Sequence, residues 1–260
     1  MPRSRMVSGF RLLAVLVGVG AAAPALAKDV PFVPTPQPVV DKMLELAKPK
    51  KSDYLIDLGS GDGRIVVTAA QRYGVTGMGV DIDPDRVAEG KQNAQQAGVT
   101  DKATFVEADL FKTDISKADV LTMYLLPQVN LRLRPVVLDT LKPGTRVVSH
   151  AFDMGDWQPD AKESVEARTI YYWVVPAKAA GTWKVEQGGK STEVSLEQTY
   201  QMLQGTAGKD KVEGRLKGTE ISLTMTGGDG KARTLTGKVD GAKMSGTGDG
   251  GAWTATRTGG

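Results

Sequence analysis

Cysteine is absent from the 260 residues, and His150 is the single histidine. The first absence excludes disulfides, thiolate metal sites and a cysteine nucleophile, and it fits either redox compartment. The second excludes any multi-histidine metal centre. An excess of one charge is missing as well. The 33 Lys and Arg stand against 30 Asp and Glu, for a formal net charge of +3. With no long basic run, the charge pattern does not point to nucleic acid. A hydrophobic fraction of 40% and a charged fraction of 24% are ordinary for a globular protein. The length suits one large domain or two small ones.

The first residues carry a targeting pattern. Arg3, Arg5 and Arg11 precede the apolar run Leu12 to Val19, and Ala25-Leu26-Ala27 offers a small-x-small cleavage site before Lys28. That order is the order of a secretory signal peptide. A retained membrane anchor is the alternative, but the run is short for a span and Pro24 interrupts its end. No cysteine follows the run, so a lipoprotein anchor is excluded. The expectation is cleavage after Ala27 and an exported, periplasmic chain with no stable anchor; if the signal is unused, the protein is cytoplasmic.

From Pro31 to Pro38 four prolines predict an extended lead-in. Apolar spacing then predicts a helix over Val39–Lys48 and a strand over Asp53–Leu58. A helix follows that stops at Gly74, and a second strand covers Gly77–Asp81. Asp83 reads as an N-cap with Pro84 at the first helical position, and that helix ends at Gly98. Strands at Ala103–Val106, Ala118–Tyr124, Arg146–Ser149 and Ile170–Val175 and a helix over Gln128–Leu141 complete an alternating pattern. Alternation of this kind implies βαβ units and a mostly parallel sheet.

After Pro176 the helix signals stop. Ala177–Gly181 reads as a linker, and five short alternating runs follow: Thr182–Val185, Val212–Leu216, Ile221–Met225, Leu235–Val239 and Trp253–Thr256. Asp229-Gly230, Asp240-Gly241 and Asp249-Gly250 are hairpin turns between them. The fold class is therefore α/β: a Rossmann-like sheet with helices on both faces, plus a small antiparallel β meander or barrel. The divisions are 1–27, 28–178 and 181–260.

The chemistry lies at strand ends, where open α/β sheets bind ligands. Asp57 ends the first strand, and the glycines at 59, 61 and 63 follow at once. Glycine lets the backbone approach a ligand closely. The dinucleotide fingerprint needs its third glycine at 64, where Arg64 stands. Asp57 and Asp62 beside this turn repel a pyrophosphate but welcome an ammonium or sulfonium; the plainer alternative is that they satisfy turn amides. Asp81 ends the second strand, where an acid accepts from ribose hydroxyls, and Asp109 follows the third, where an acid accepts from an adenine amine.

The runs Asp57 to Arg64, Gly79-Val80-Asp81-Ile82-Asp83-Pro84 and Ala108-Asp109-Leu110 resemble, in order, the motifs of class I S-adenosylmethionine-dependent methyltransferases. Asp-Leu-Gly-Ser-Gly-Asp-Gly-Arg, with Pro127-Gln128 after the fourth strand, is similar to the ATP-synthase c-subunit lysine methyltransferases. More distantly, it resembles the histone-lysine methyltransferases of the disruptor-of-telomeric-silencing type. The resemblance covers Pro31 to Val175. It implies S-adenosylmethionine as cofactor. It places Asp57, Gly59, Gly61 and Gly63 at the methionine moiety, Asp81 at the ribose and Asp109 at the adenine, with Ser60, Ile82 and Leu110 as further cofactor contacts. It lays Phe32–Pro36 across the cofactor, with Thr35 as a contact.

The acceptor side is less marked. Met123-Tyr124-Leu125-Leu126-Pro127 lacks the Asn or Asp that begins the amide- and adenine-methylating motif. Tyr124 either lines an acceptor channel or belongs to the core. His150 is either a base or structural, and Trp157 either walls the pocket or packs. The leading expectation is a protein-lysine N-methyltransferase, with a protein lysine as acceptor and no metal. A small-molecule methyltransferase is the alternative, and a non-catalytic envelope protein with a relic fold is a third reading.

Overall fold

A computed structural model describes residues 32–259. The expected signal peptide, and the export it implies, lie outside the described residues. The first part of the chain runs α1 (Gln37–Ala47), β1 (Tyr54–Leu58), α2 (Arg64–Tyr73), β2 (Thr76–Asp81), α3 (Pro84–Gln96) and β3 (Ala103–Glu107). It continues with β4 (Val120–Met123), α4 (Pro127–Thr140), β5 (Arg146–His150), β6 (Ala161–Val165) and β7 (Arg168–Val174).

These strands form one sheet in the order β3-β2-β1-β4-β5-β7-β6. The first five are parallel, and β7 and β6 join antiparallel. The central strands are buried and mostly apolar because both faces are covered: every residue of β4 and all but Tyr54 of β1 is buried, Asp57 and Thr122 being their polar members. One face packs under α1, α2 and α3, with Val39, Met43, Val66 and Phe105 in its core. The other packs under α4, with Leu133, Val137, Met154, Trp157 and Trp173. The local signals work as the sequence predicts. Asp83 caps α3 by accepting from the Asp85 amide, and Gly74 closes α2 in the left-handed conformation. Strand order reverses between β1 and β4, so a crevice opens at their carboxyl ends.

The rest of the chain is β8 (Gly181–Gln187), β9 (Lys190–Thr199), β10 (Met202–Ala207), β11 (Asp210–Lys217), β12 (Glu220–Thr226), β13 (Ala232–Asp240), β14 (Lys243–Gly248) and β15 (Gly251–Gly259). They close into an eight-stranded antiparallel barrel. Alternate residues point inward and fill it, from Trp183 through Val212, Leu223 and Leu235 to Trp253. Gly205 and Gly246 lie where neighbouring strands press together: a Cβ would stand 1.8 Å from the Ser195 carbonyl oxygen and 1.9 Å from that of Thr236.

The sequence reading missed β6, β9, β10 and β14. β6 reads Ala-Lys-Glu-Ser-Val on the sheet edge and is exposed at its three central residues. β9 offers only Val194 and Leu196 to the core, while β10 and β14 contain glycine. None carries the apolar alternation by which a strand is recognised. The stretch read as a linker is a packed connection. Ala177 N donates to Gly218 O (2.8 Å), and Ala179 N donates to Gln198 Oε1 (2.7 Å). Ala179 is fully buried.

Candidate active site

The carboxyl ends of β1 and β4 open into a cavity of about 580 Å³. Gly59 and Gly61 both take left-handed backbone angles there (φ 72° and 52°). A Cβ on Gly59 would meet Leu125 Cδ2 at 2.7 Å, and one on Gly61 would meet the Phe32 ring at 2.4 Å. Glycine is thus required by the chain direction and by the space. Gly63, also expected at the ligand, is placed behind the cavity. Its Cβ would meet the Phe105 ring at 2.4 Å and Gly90 Cα at 3.0 Å, so its smallness serves packing of α2 and α3 on the sheet.

Asp57 is 2% exposed. Burial raises its carboxyl from 3.8 to about 7, and Asp81 and Asp62 add to the rise. The Thr122 hydroxyl on β4 opposes them by donating to Asp57 Oδ1 at 2.7 Å. Asp62, expected to attract a cation, is already paired. Arg64 Nε donates to its two oxygens at 2.9 and 3.0 Å. The same guanidinium reaches Thr35 O through Nη1 at 2.8 Å. Among the described residues, no salt bridge reaches the other two carboxylates of this cluster, Asp57 and Asp81.

Asp81 accepts from Gly61 N at 2.8 Å on one oxygen and from Asp83 N at 3.0 Å on the other. It therefore shapes the glycine turn, and each oxygen keeps a further lone pair directed elsewhere. Asp109 accepts from Phe111 N at 2.9 Å. Ser60, Ile82 and Leu110 complete this half of the lining.

The match to the ANTKMT methyltransferase domain spans residues 57–161 and ends before the barrel begins. A protein-lysine N-methyltransferase from Saccharolobus islandicus is 46% identical over 151 residues, which are 56% of this chain and 94% of that protein. This chain belongs to the same methyltransferase family. The human ATP-synthase c-subunit lysine N-methyltransferase is 31% identical over 156 residues, covering 60% of this chain and 66% of that one. A crystal structure of an RNA methyltransferase from Salinibacter ruber, in complex with S-adenosyl-L-homocysteine, is 54% identical. It superposes with a TM-score of 0.56 over 56% of this chain and 96% of that one. The protein is a methyltransferase that uses S-adenosylmethionine, and the cavity fits that ligand. The turn clears a path at Gly59 and Gly61, and buried Asp57 has no cation of its own among the described residues.

Much of the rest of the methyltransferase cavity is apolar. Phe32, Val33, Pro34 and Thr35 form a strap along one side, with the Arg86 guanidinium 4.6 Å from the Phe32 ring centroid. Tyr124, Leu125, Leu126 and Phe152 also line the cavity, the Tyr124 and Phe152 rings stacking with centroids 6.4 Å apart. His150 does not line the cavity. It is fully buried behind Tyr124, ring centroids 3.9 Å apart, and its Nδ1 lies 3.1 Å from the Thr35 hydroxyl. Burial, helped by Arg168, lowers its pKa from 6.5 to about 4, so the imidazole is neutral. Trp157 is also fully buried, away from the cavity, between Trp173 and Tyr200.

Thr122, Arg64 and Phe152 were missed by sequence reasoning. Thr122 had a signal, as the one polar residue in the apolar run Val120–Met123. Phe152 follows the end of β5, where the strand-end rule applies. Nothing local in the sequence shows that Arg64 neutralises Asp62 and also holds the strap.

Proposed function

We propose that this methyltransferase modifies the ε-amine of lysine on a protein, using residues 28–178 as its catalytic unit. The observation that carries this reading is the acceptor side of the cavity. It is made of Tyr124, Leu125, Leu126 and Phe152, and its one histidine neighbour, His150, is not part of the lining. A lysine amine needs no strong base if an apolar wall disfavours its ammonium form. The names of the Saccharolobus islandicus and human relatives support the same substrate class.

S-adenosylmethionine supplies an activated methyl group when bound. The remaining work belongs to the chain. In this reading Asp57, Gly59, Ser60 and Gly61 hold the methionine end, and Asp81 and Ile82 hold the ribose. Asp109 and Leu110 hold the adenine, and the strap ending at Thr35 covers the ligand. Tyr124 and Phe152 align the acceptor and exclude water, which is most of what an in-line displacement requires. We further propose that residues 1–27 direct the chain to the periplasm, on the strength of their Arg-flanked apolar run and Ala25-Leu26-Ala27 site.

The test is methyl incorporation from labelled S-adenosylmethionine into an envelope extract, with peptide mapping. Label on lysine is expected. Label confined to RNA, as the name of the Salinibacter ruber neighbour would have it, or to small metabolites, overturns the assignment. An Asp81→Ala variant should bind S-adenosylmethionine about ten- to a hundredfold more weakly by calorimetry. Intact mass of the native protein should match a start at Lys28; full-length protein in the cytosol would refute export.

A further inference from the structure

The barrel meets the sheet at one place that bears on the cavity, the connection between β5 and β6, residues 151–160. Phe152, near its start, forms part of the cavity wall. The backbone there is fixed from α4. Asn130 Nδ2 donates to Phe152 O and Asp153 O, each at 3.2 Å, and Arg134 donates to Met154 O at 2.8 Å. Ser149 Oγ also donates to Phe152 O, at 2.6 Å.

The far end is held by the barrel. The Tyr200 ring stacks on Trp157 with centroids 6.1 Å apart and an interplanar angle of 21°. The Arg134 guanidinium lies 5.3 Å from the Tyr200 ring centroid. Gln201, 1% exposed, donates through Nε2 to Gln158 O at 2.7 Å. Arg215 pairs with Asp160 at 2.7 Å, and the Asp160 side chain is only 6% exposed. Tyr200 does this from a left-handed backbone conformation (φ 55°), which a bulky residue adopts only at a cost of about 1–2 kcal/mol. A hairpin turn needs no tyrosine, and glycine would relieve the strain. The position keeps its ring for the contact the ring makes.

We propose that Tyr200, Gln201 and Arg215 are positioning residues for methyl transfer. The barrel is a buttress that clamps residues 157–160 and so fixes Phe152 against Tyr124 on the acceptor side. The proposal rests on the reading of that cavity as the methyl-transfer site. It also predicts an asymmetry, because the cofactor side, built from β1, β2 and β3, does not touch the barrel through these groups.

The experiment uses the full chain with Tyr200→Gly, Tyr200→Phe and Arg215→Ala. Glycine suits the left-handed angle, so Tyr200→Gly removes the clamp while favouring the turn. In Tyr200→Gly, amides of residues 151–156 should exchange about tenfold faster by hydrogen-exchange mass spectrometry, while those of β1 and β2 stay unchanged. Labelled methyl transfer into the envelope extract should fall by about tenfold or more, because misplacement at the acceptor is costly. Calorimetric affinity for S-adenosylmethionine should stay within about twofold. Tyr200→Phe should restore the exchange pattern, and Arg215→Ala should give a weaker form of the Tyr200→Gly result.

Unchanged exchange at 151–156 in Tyr200→Gly and Arg215→Ala would overturn the buttress. So would a parallel loss of cofactor affinity and thermal stability, which would make the barrel a general support. Wild-type protein that labels no protein at all, with exchange still responding at 151–156, would defeat the lysine reading and leave the buttress standing.

Discussion

The two sheets of this chain bury different things. Among the described residues, every polar residue buried as a whole, except Gln201, lies at or before His150, in the strap and the parallel-sheet region. The barrel interior is Trp, Val, Leu, Ile, Met and Ala, and its one buried polar side chain is the one that reaches Gln158 in the other half. The glycines of the ligand turn contrast with those of the barrel's hairpin turns. Gly59, Gly61 and Gly63 are left-handed and pressed by neighbouring side chains. Gly188, Gly208, Gly230, Gly241 and Gly251 are left-handed in turns with nothing within 4 Å of a built Cβ. One region breaks local rules where a ligand must be held, and the barrel breaks one at Tyr200, where it grips the other half. Such violations are expected at functional sites, where stability is traded for a poised charge or an open path.

The largest break in that comparison should come from glycine. Gly63→Ala places a methyl group against the buried Phe105 ring and the Gly90 backbone at a left-handed angle, and should destabilise the protein by about 3 kcal/mol. Gly241→Ala, equally left-handed but in open space, should cost about 1 kcal/mol and leave methyl transfer unchanged. Urea denaturation of both variants checks the pair. Equal losses would mean that the contrast between crowded and open glycines has no energetic content.

Asp57 sharpens the comparison through pH. Its carboxyl is raised from 3.8 to about 7, so between those values the folded state holds a proton that the unfolded chain has released. Stability of the ligand-free protein from this group therefore falls as pH rises from about 4 to about 7, then stays low. His150 has the opposite sign. Its pKa is lowered from 6.5 to about 4, so its contribution is present above 6.5 and lost as pH falls toward 4. The two oppose each other through the acidic range. Asp57→Asn should raise the melting temperature at pH 8 and leave a stability that declines on acidification below 6.5. The same variant should bind S-adenosylmethionine about ten- to a hundredfold more weakly at pH 8, because a sulfonium or ammonium favours the ionised carboxylate. Wild-type affinity should weaken as pH falls below about 7, and the variant should lose that dependence. A variant with unchanged affinity and an unchanged pH profile would detach Asp57 from the ligand.

How much of this was legible follows from how local each signal is. Asp83 with Pro84, Gly74, and the glycine turn after Asp57 act within a few residues, and the sequence shows them directly. The row Asp57, Asp81 and Asp109 follows from the strand-end rule once the strands are placed. What escaped is long-range. Arg64 meets Thr35, Thr122 meets Asp57, and Tyr200 meets Trp157, each across tens of residues. β9 and β10 escaped because a barrel strand contributes few inward residues and its pairing partners supply the rest. His150 was visible as a candidate base because it is the only histidine. Its burial against Tyr124 and the Thr35 hydroxyl, outside the cavity lining, was set by tertiary packing.

The smallest expected effect concerns that histidine. A catalytic base must reach the acceptor's proton and carry a pKa near the working pH. His150 is buried behind Tyr124 and neutral down to about pH 4. Its Nε2 has no hydrogen-bond partner among the described residues, so a proton on Nδ1 donated to the Thr35 hydroxyl leaves only an acceptor unpaired. That arrangement suits a latch on the strap. His150→Ala should therefore keep kcat within about tenfold and weaken S-adenosylmethionine binding by about five- to tenfold, the worth of about one hydrogen bond. Thr35→Val removes the other half of the latch and should give a similar loss. The double variant should be little worse than either, since both remove one contact. The rate–pH profile of the wild type should carry no inflection near 6.5 that His150→Ala abolishes. A fall of a thousandfold in kcat, with cofactor affinity intact, would return His150 to the role of base and place the latch elsewhere.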